Sequence, residues 1–313
     1  MNGNPKIALI GAGAVGSYVV QGLYDKFGEN FMILADGERA RRLMENGLLI
    51  NGRRFSPRVI SPAAAKAEAL DFLIVAVKYK ALEGALDDIE AAVCETTTVV
   101  SLMNGIDSEQ IIAGRIGRQH LLYSFIKIAS TRQDGEVSFA LPFGNSGIFV
   151  GEVPQDGAGG PADQTRARAF GALFDGTDVV CHVSEDVLSG MWDKFALNIS
   201  RNLPQAVLGA GIGVYEDSSY AADLSRKLRQ EIIRLAAAQG ITVPAEYKIA
   251  PASPAQRYST LQDLDAGRET EIEMFSGAAV RIGRKLGIPC PYNEVMYDLI
   301  KALEEKNAGK FDY

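Results

Sequence analysis

The sequence predicts an α/β fold: a doubly wound parallel sheet over residues 1–184, followed by an all-helical domain over residues 185–313. Three observations predict it. Short apolar runs alternate with helical-period segments through the first third of the chain. A glycine-rich turn joins the first run to the first helix, and strand signals stop near residue 185. The alternation asks for a parallel sheet covered on both faces, and its absence later asks for a bundle. A chain of 313 residues is long enough for two such domains, each with its own core.

Lys6–Ile10 is a short apolar run ending in glycine, hence a buried strand, and Val15–Phe27 follows at helical spacing. Phe31–Ala35 is the next strand and Glu38–Asn46 a charged amphipathic helix. Leu48–Ile50, Asn51-Gly52 and Arg53–Val59 form a hairpin, because Asn-Gly supplies the positive φ angles of a type I′ turn. Asp71–Val77 and Thr97–Leu102 are further apolar strands. The β-rich stretches of residues 121–151 are expected to extend or cap the sheet as antiparallel strands. Residues 151–164 form a loop, followed by a helix (Thr165–Phe174) and a strand (Asp178–His182). Beyond it, Leu224, Leu228, Ile232 and Leu235 make a helical stripe stopping at Gly240, and Ile272, Phe275, Ala279, Ile282 and Leu286 make another stopping at Gly287. The basic Arg53-Arg54 pair and the tail from Glu304 are expected to be solvated.

Composition narrows the function. Hydrophobic residues make up 47% and charged residues 23%, which excludes a disordered chain. The net charge is 32 − 39 = −7, without the basic footprint of a general nucleic-acid binder. Cys94, Cys181 and Cys290 are odd in number and far apart, so neither a disulfide framework nor a metal clip is expected, and a reducing, cytoplasmic compartment is. With His120 and His182 as the only histidines, no metal centre is expected, and acid–base chemistry falls to Lys, Glu or Asp. The first apolar run stops at a glycine, so no secretory signal is expected, and no run reaches the ~18 residues that cross a bilayer. The expected partner is a small molecule, not a membrane or nucleic acid. A homodimer is allowed, since nothing in the sequence specifies an oligomeric state.

Gly11-Ala12-Gly13-Ala14-Val15-Gly16 is a complete GxGxxG between a strand and a helix, the context that marks a Rossmann dinucleotide-binding domain. Gly11 permits the tight turn, Gly13 lets the backbone approach a pyrophosphate, and Gly16 lets the helix pack on the strand. The helix N-terminus offers N–H groups and a positive dipole end to the phosphates. Asp36, twenty residues after Gly16, sits where a carboxylate bonds both adenosine ribose hydroxyls and repels a 2′-phosphate, which favours NAD(H). Arg39, Arg41 and Arg42 follow, either partly reversing that preference or forming a solvated helix face.

In the second half, Trp192, Phe195, Ile199 and Leu203 form an apolar helical stripe. Lys194, Asn198 and Asn202 stand at i, i+4 and i+8 on one polar face, able to grip a carbonyl and a carboxylate or to form an ordinary exposed face. Ser259 and Glu271, twelve residues apart, read on their own as a helix cap and a surface acid.

Together these segments resemble the 2-dehydropantoate 2-reductases, or ketopantoate reductases, over nearly the whole chain. The resemblance rests on GAGAVG at 11–16, VKYK around Lys78, Asn104-Gly105, WDKFALNISRN at 192–202 and STLQDLDAGRETEIE at 259–273. It implies a Rossmann domain followed by a helical domain, with the active site in the cleft between them, and reduction of 2-dehydropantoate to (R)-pantoate by NADPH on the route to pantothenate and coenzyme A. By position, Lys194 matches the catalytic lysine and Glu271 the acid that contacts the substrate. Asn198, Asn202 and Ser259 match substrate-binding positions, and Lys78 and Asn104 residues near the nicotinamide and the substrate. Several members carry an arginine after the second strand that holds the 2′-phosphate of NADPH; here Asp36 stands in that place.

On this reading hydride passes to C2 of a 2-oxo acid, and protonated Lys194 stabilises the developing oxyanion and supplies the proton. Glu271 either accepts a bond from the substrate hydroxyl or holds Lys194. Asp36 equally supports an NAD-dependent D-2-hydroxyacid dehydrogenase acting on another branched or aromatic 2-oxo acid. A non-catalytic dinucleotide sensor would need no proton donor. A β-hydroxyacid dehydrogenase shares the asparagine four residues after a catalytic lysine, but the STLQD…TEIE segment favours the ketopantoate reductases.

Overall fold

The computed structural model describes residues 4–139, 146–154, 162–246 and 253–313. Residues 155–161 of the expected 151–164 loop lie outside them. The chain divides into two compact units, Met1–Asn104 with Ser108–Val187, and Leu188–Tyr313 with Gly105–Asp107.

The first unit runs β1 (Ile7–Ile10), α1 (Ala14–Phe27), β2 (Phe31–Leu34), α2 (Gly37–Asn46), β3 (Leu48–Ile50), β4 (Arg53–Phe55), β5 (Arg58–Ile60), α3 (Pro62–Glu68) and β6 (Phe72–Val75). It continues with α4 (Tyr79–Ala92), β7 (Thr98–Ser101), α5 (Ser108–Ile116), β8 (Leu121–Lys127), β9 (Ser130–Gln133), β10 (Glu136–Phe139), β11 (Gly147–Gly151), α6 (Thr165–Gly171) and β12 (Cys181–Val183). Eight strands form one sheet in the order β12-β11-β8-β7-β6-β1-β2-β5. From β5 to β8 every neighbouring pair is parallel. Strand residues alternate between two apolar layers, as a sheet covered on both faces requires. Ile7, Leu9, Phe31, Ile33, Phe72 and Ile74 fill one layer, and Ala8, Ile10, Met32, Leu34, Leu73 and Val75 the other.

Two expectations change here. Arg53–Val59 is not one strand. Pro57 has no N–H to give a ladder and interrupts it, so β4 closes the hairpin with β3 while β5 leaves to pair in parallel with β2. The β-rich stretch is not a simple antiparallel extension. The α5 crossover returns β8 parallel to β7, and only β11 then runs antiparallel to β8. β9 and β10 instead join β3 and β4 in a separate four-stranded sheet, with β10 parallel to β3. Asn51, at φ 46 in the hairpin turn, also stitches that sheet: its N–H donates to Val137 O at 3.0 Å, and its Oδ1 accepts from Phe139 N at 2.9 Å. The exposed Arg53 pairs with Asp25 at 2.6 Å.

The second unit contains α7 (Val187–Leu197), a π-helical turn at Asn198–Asn202, α8 (Leu203–Leu208), α9 (Val214–Asp217), α10 (Ser219–Ala237) and α11 (Ser259–Asp265). A second π-helical turn at Glu273–Gly277 leads into α12 (Ala278–Leu286), and α13 (Pro291–Asn307) ends the bundle. None of its described residues forms a strand. Leu228, Ile232 and Leu235 are fully buried, as the stripe predicts. After α10 the turn reaches Gly240 at φ +75, and Ile241 N–H returns to Ala236 O at 3.0 Å, a Schellman closure that needs the glycine. α12 closes the same way at Gly287, but Leu286, counted in the stripe, is 37% exposed. Glu231 on α10 is fully buried, and its carboxylate accepts the N–H groups of Tyr292 and Asn293 at 3.0 Å each. A negative group at that helix start satisfies two otherwise partnerless donors.

Candidate active site

In the first unit the strand order reverses between β1 and β6, the switch point where doubly wound sheets bind ligands. The glycine turn follows β1 and Lys78 follows β6, so both predicted elements lie at that crevice, with Lys78 exposed and Asn104 half-buried after β7. Gly11 has φ +101, and a Cβ there would come within 2.5 Å of the Ala76 carbonyl at the end of β6. A Cβ at Gly16 would lie 1.9 Å from the Gly11 carbonyl oxygen, so only glycine lets α1 start this close to the turn. Gly13 differs, since a Cβ there would meet nothing within 4 Å. Ala12, Ala14 and Val15 pack half-buried against the sheet core. No side chain caps α1, and its first turn has no acidic residue. Two glycines forced by packing, a third facing empty space and an uncapped helix start fit a bound pyrophosphate.

Asp36 is exposed at the end of β2, and its carboxylate does not cap α2. Its charge reaches α4: burial raises the Asp88 carboxyl, and repulsion by Asp36 and then Asp87 adds to the rise. Arg41 is held on its own helix by Glu38 at 2.7 Å and Glu45 at 2.9 Å, and Arg42 lies 3.9 Å from Glu38. Arg41 and Arg42 thus pair with neighbouring carboxylates; Arg39 is exposed.

In the second unit Trp192, Phe195, Ile199 and Leu203 are at most 5% exposed and anchor the α7 segment. Lys194 is half-buried on α7, and the preceding Asp193 pairs with the buried Arg229 at 2.6 Å. Asn198 opens the π turn and Asn202 closes it. In an uninterrupted α-helix an i+8 residue stands roughly 80° from residue i. The extra residue of a π turn makes the offset act as i+7, about 20° away, which returns Asn202 to the line of Lys194.

Asn202 is 4% exposed. Its Nδ2 donates to Ser259 Oγ at 3.2 Å, and its Oδ1 accepts Thr260 N–H at 3.2 Å. The structure therefore brings Asn202 and Ser259 together, with Ser259 exposed as the first residue of α11. Glu271 is half-buried, and its carbonyl accepts from Met274 N at 3.0 Å as the second π turn begins. The two π turns pack against each other.

Spacing alone does not reveal three further residues. Gln205 is fully buried, its Nε2 donating to Gln256 O at 3.0 Å and its Oε1 accepting Tyr258 N–H at 2.7 Å, so it grips the segment leading into Ser259. The Tyr215 hydroxyl sits inside the α8 ladder; the one hint in the sequence is Pro204 within a helical pattern. Glu304, expected to be solvated, has a side chain 9% exposed, and one oxygen accepts both the N–H and the hydroxyl of Thr270 at 2.7 Å, which fixes the residue before Glu271. That correction follows from α13 carrying Glu304 back onto the TEIE segment. Among the described residues no three His, Cys, Asp or Glu gather as a metal site, and no helix is long and apolar enough to cross a membrane.

A glycine turn at the switch point of a doubly wound sheet, joined in one chain to a helical unit, defines a protein of the dinucleotide-binding class. Comparison with known proteins agrees. The patterns described as "Ketopantoate reductase PanE/ApbA" and "Ketopantoate reductase PanE/ApbA C terminal" match residues 7–155 and 186–304. The chain belongs to the ketopantoate reductase family. It is 24% identical to a 2-dehydropantoate 2-reductase of Pyrococcus horikoshii, covering 97% of this chain and 99% of that one. It resembles the structure of a ketopantoate reductase from Ralstonia eutropha (TM-score 0.79, 24% identity, 96% and 99% of the two chains). It also resembles a D-mandelate dehydrogenase solved with NADH and anilino(oxo)acetate (TM-score 0.82, 22% identity, 96% and 99%).

Proposed function

We propose that the protein reduces 2-dehydropantoate, a branched 2-oxo acid, to (R)-pantoate with NAD(P)H. The observation that carries this reading is the clasp between Asn202 and Ser259, which joins the WDKFALNISRN and STLQD segments into one polar seat on the helical unit. Residues 1–184 hold the dinucleotide and residues 185–313 the substrate. Gly11–Gly16 and the start of α1 take the pyrophosphate, Asp36 takes the adenosine ribose, and Lys78 and Asn104 lie toward the nicotinamide. The bound dinucleotide supplies a hydride to the substrate's C2. Lys194 meets the negative charge that develops on the carbonyl oxygen and gives that oxygen its proton. Asn198 and Asn202 orient the substrate, Ser259 bonds its carboxylate, and Glu271 lies at the hydroxyl end.

Three observations favour a second reading, an NAD-dependent D-2-hydroxyacid dehydrogenase. Asp36 stands where a 2′-phosphate would sit, Arg41 is already paired with Glu38 and Glu45, and the D-mandelate dehydrogenase of similar fold was solved with NADH. Steady-state kcat/KM for 2-dehydropantoate, 2-oxoisovalerate and phenylglyoxylate, each with NADPH and NADH, decides between them. A clear preference for 2-dehydropantoate supports the first reading, and a preference for phenylglyoxylate with NADH the second. Dinucleotide binding without turnover on any of the three would sink both.

A further inference from the structure

In a continuous α-helix the N–H of Gln205 would donate to the carbonyl of Arg201. Here the Tyr215 hydroxyl stands between them. It accepts from Gln205 N–H at 3.1 Å and donates its single proton to Arg201 O. Pro204, beside it, brings no N–H to the ladder. A side chain inserted into the i→i−4 ladder is a recognised cause of a helix break, and this one comes directly after the π turn that ends at Asn202.

Tyr215 is itself well fixed. It is 6% exposed, and its ring carries the Arg201 guanidinium at 4.0 Å. The loop before it is pinned by Ile212 N–H to Gln256 O (3.0 Å) and Gly213 N–H to Pro254 O (2.9 Å). Gly211 and Gly213 lie so close to that strand of chain that a Cβ on Gly211 would sit 2.2 Å from Pro254 O, and one on Gly213 2.8 Å from the Pro254 side chain. The residues on either side of the break then hold one target. Asn202 holds Ser259 and Thr260, and Gln205 holds Gln256 and Tyr258.

We infer that the Tyr215 hydroxyl is a positioning group for the substrate seat: by splicing the Arg201–Gln205 step it fixes the end of the π turn, and with it the placement of Asn202 and Ser259. This rests on the proposed substrate-binding role of Asn202. Tyr215 is buried and spends its hydroxyl on the backbone, so its effect on the seat is exerted through the helix.

The test is a double-mutant cycle of Tyr215→Phe and Asn202→Ala, read as kcat, KM for the 2-oxo acid, and NADH affinity. Tyr215→Phe keeps the ring and its contact with Arg201 and deletes only the hydroxyl. The expected result is a KM raised about 10- to 100-fold, as for a misplaced positioning group, with NADH affinity kept and little further loss when both changes are combined. Replacement of Tyr215 by 4-aminophenylalanine, which keeps a donor and an acceptor at the same place, is expected to restore KM. A wild-type KM in Tyr215→Phe, or effects that simply add, would overturn the inference while leaving the proposed function standing. An unchanged KM in Asn202→Ala would remove the substrate role on which it rests. Should Tyr215→Phe fail to fold, amide exchange in the wild type still decides: the Gln205 amide is expected to be among the slowest, and exchange at the rate of open loops would overturn the hydroxyl bridge.

Discussion

Replacing Gly13 and Gly16 by alanine, one at a time, separates what the glycine turn does for the fold from what it does for a ligand. At Gly13 φ is −83°, which alanine accepts, and the new Cβ meets nothing within 4 Å. Folding should be unharmed or helped by roughly 0.4–1 kcal/mol through the lost freedom of the unfolded chain. On the proposed reading, the same methyl enters the space of the pyrophosphate. Losing one or two charge-assisted hydrogen bonds at about 1.5–3 kcal/mol each weakens binding by roughly tenfold at the least and by about 10⁴-fold at the upper end. At Gly16 the Cβ would lie 1.9 Å from a backbone oxygen, so α1 must move away from the turn. That overpacking costs about 1–3 kcal/mol or more, and Tm falls along with affinity. Calorimetric titration with NADH and NADPH, beside thermal unfolding without ligand, measures both quantities. Unaltered NADH affinity in Gly13→Ala, or a large loss of Tm there, would refute the assignment of the open side of the turn to the phosphates.

Other outcomes follow from the same geometry. Lys194→Ala should lower kcat by about 10²–10⁴ while NADH affinity is nearly kept, as removal of a proton donor does; turnover near wild type would take Lys194 out of the reaction. On the proposed placement of Asp36 at the adenosine ribose, Asp36→Ser removes a carboxylate that would repel a 2′-phosphate, so the ratio of kcat/KM with NADPH to that with NADH should rise at least roughly fivefold, a shift of about 1 kcal/mol. For Glu304, burial pushes the carboxyl up, but its bonds to Lys301 and Thr270 outweigh that and hold it below the usual range. The stability it gives is therefore full above the ordinary glutamate value and is lost as pH falls through the lower folded value. Glu304→Gln should be less stable than wild type at neutral pH and converge with it in acid, as thermal unfolding across that range would show.

The order of elements was legible because β1, β2 and β6 are buried on both faces and so carry unbroken apolar runs. The glycine turn was legible because the three glycines that shape it fall within six consecutive residues. Pairing between distant strands was not. Nothing local in Leu48–Ile50 states that its second neighbour is Glu136–Phe139, and Pro57, which divides the two short strands, was the one readable mark. At the candidate site the residue types were readable and their geometry was not. A stripe at helical spacing implies an uninterrupted helix, whereas the hydroxyl that opens this one comes from Tyr215, ten residues beyond Gln205. Glu304 was misplaced for the same reason: its partner Thr270 lies 34 residues away, and a carboxylate near a chain end looks like any surface acid.

The pairing of Glu136 with Leu49 spans 136 − 49 = 87 residues, and it sets an order of events during synthesis. The hairpin around Asn51 leaves the ribosome long before the strand that completes its sheet. Until Phe139 emerges, β3 has hydrogen-bonding groups on its outer side and no native partner to take them. Nascent or prematurely terminated chains that stop short of that point carry an open β edge, the kind of surface that chaperones cover and that otherwise joins neighbouring chains.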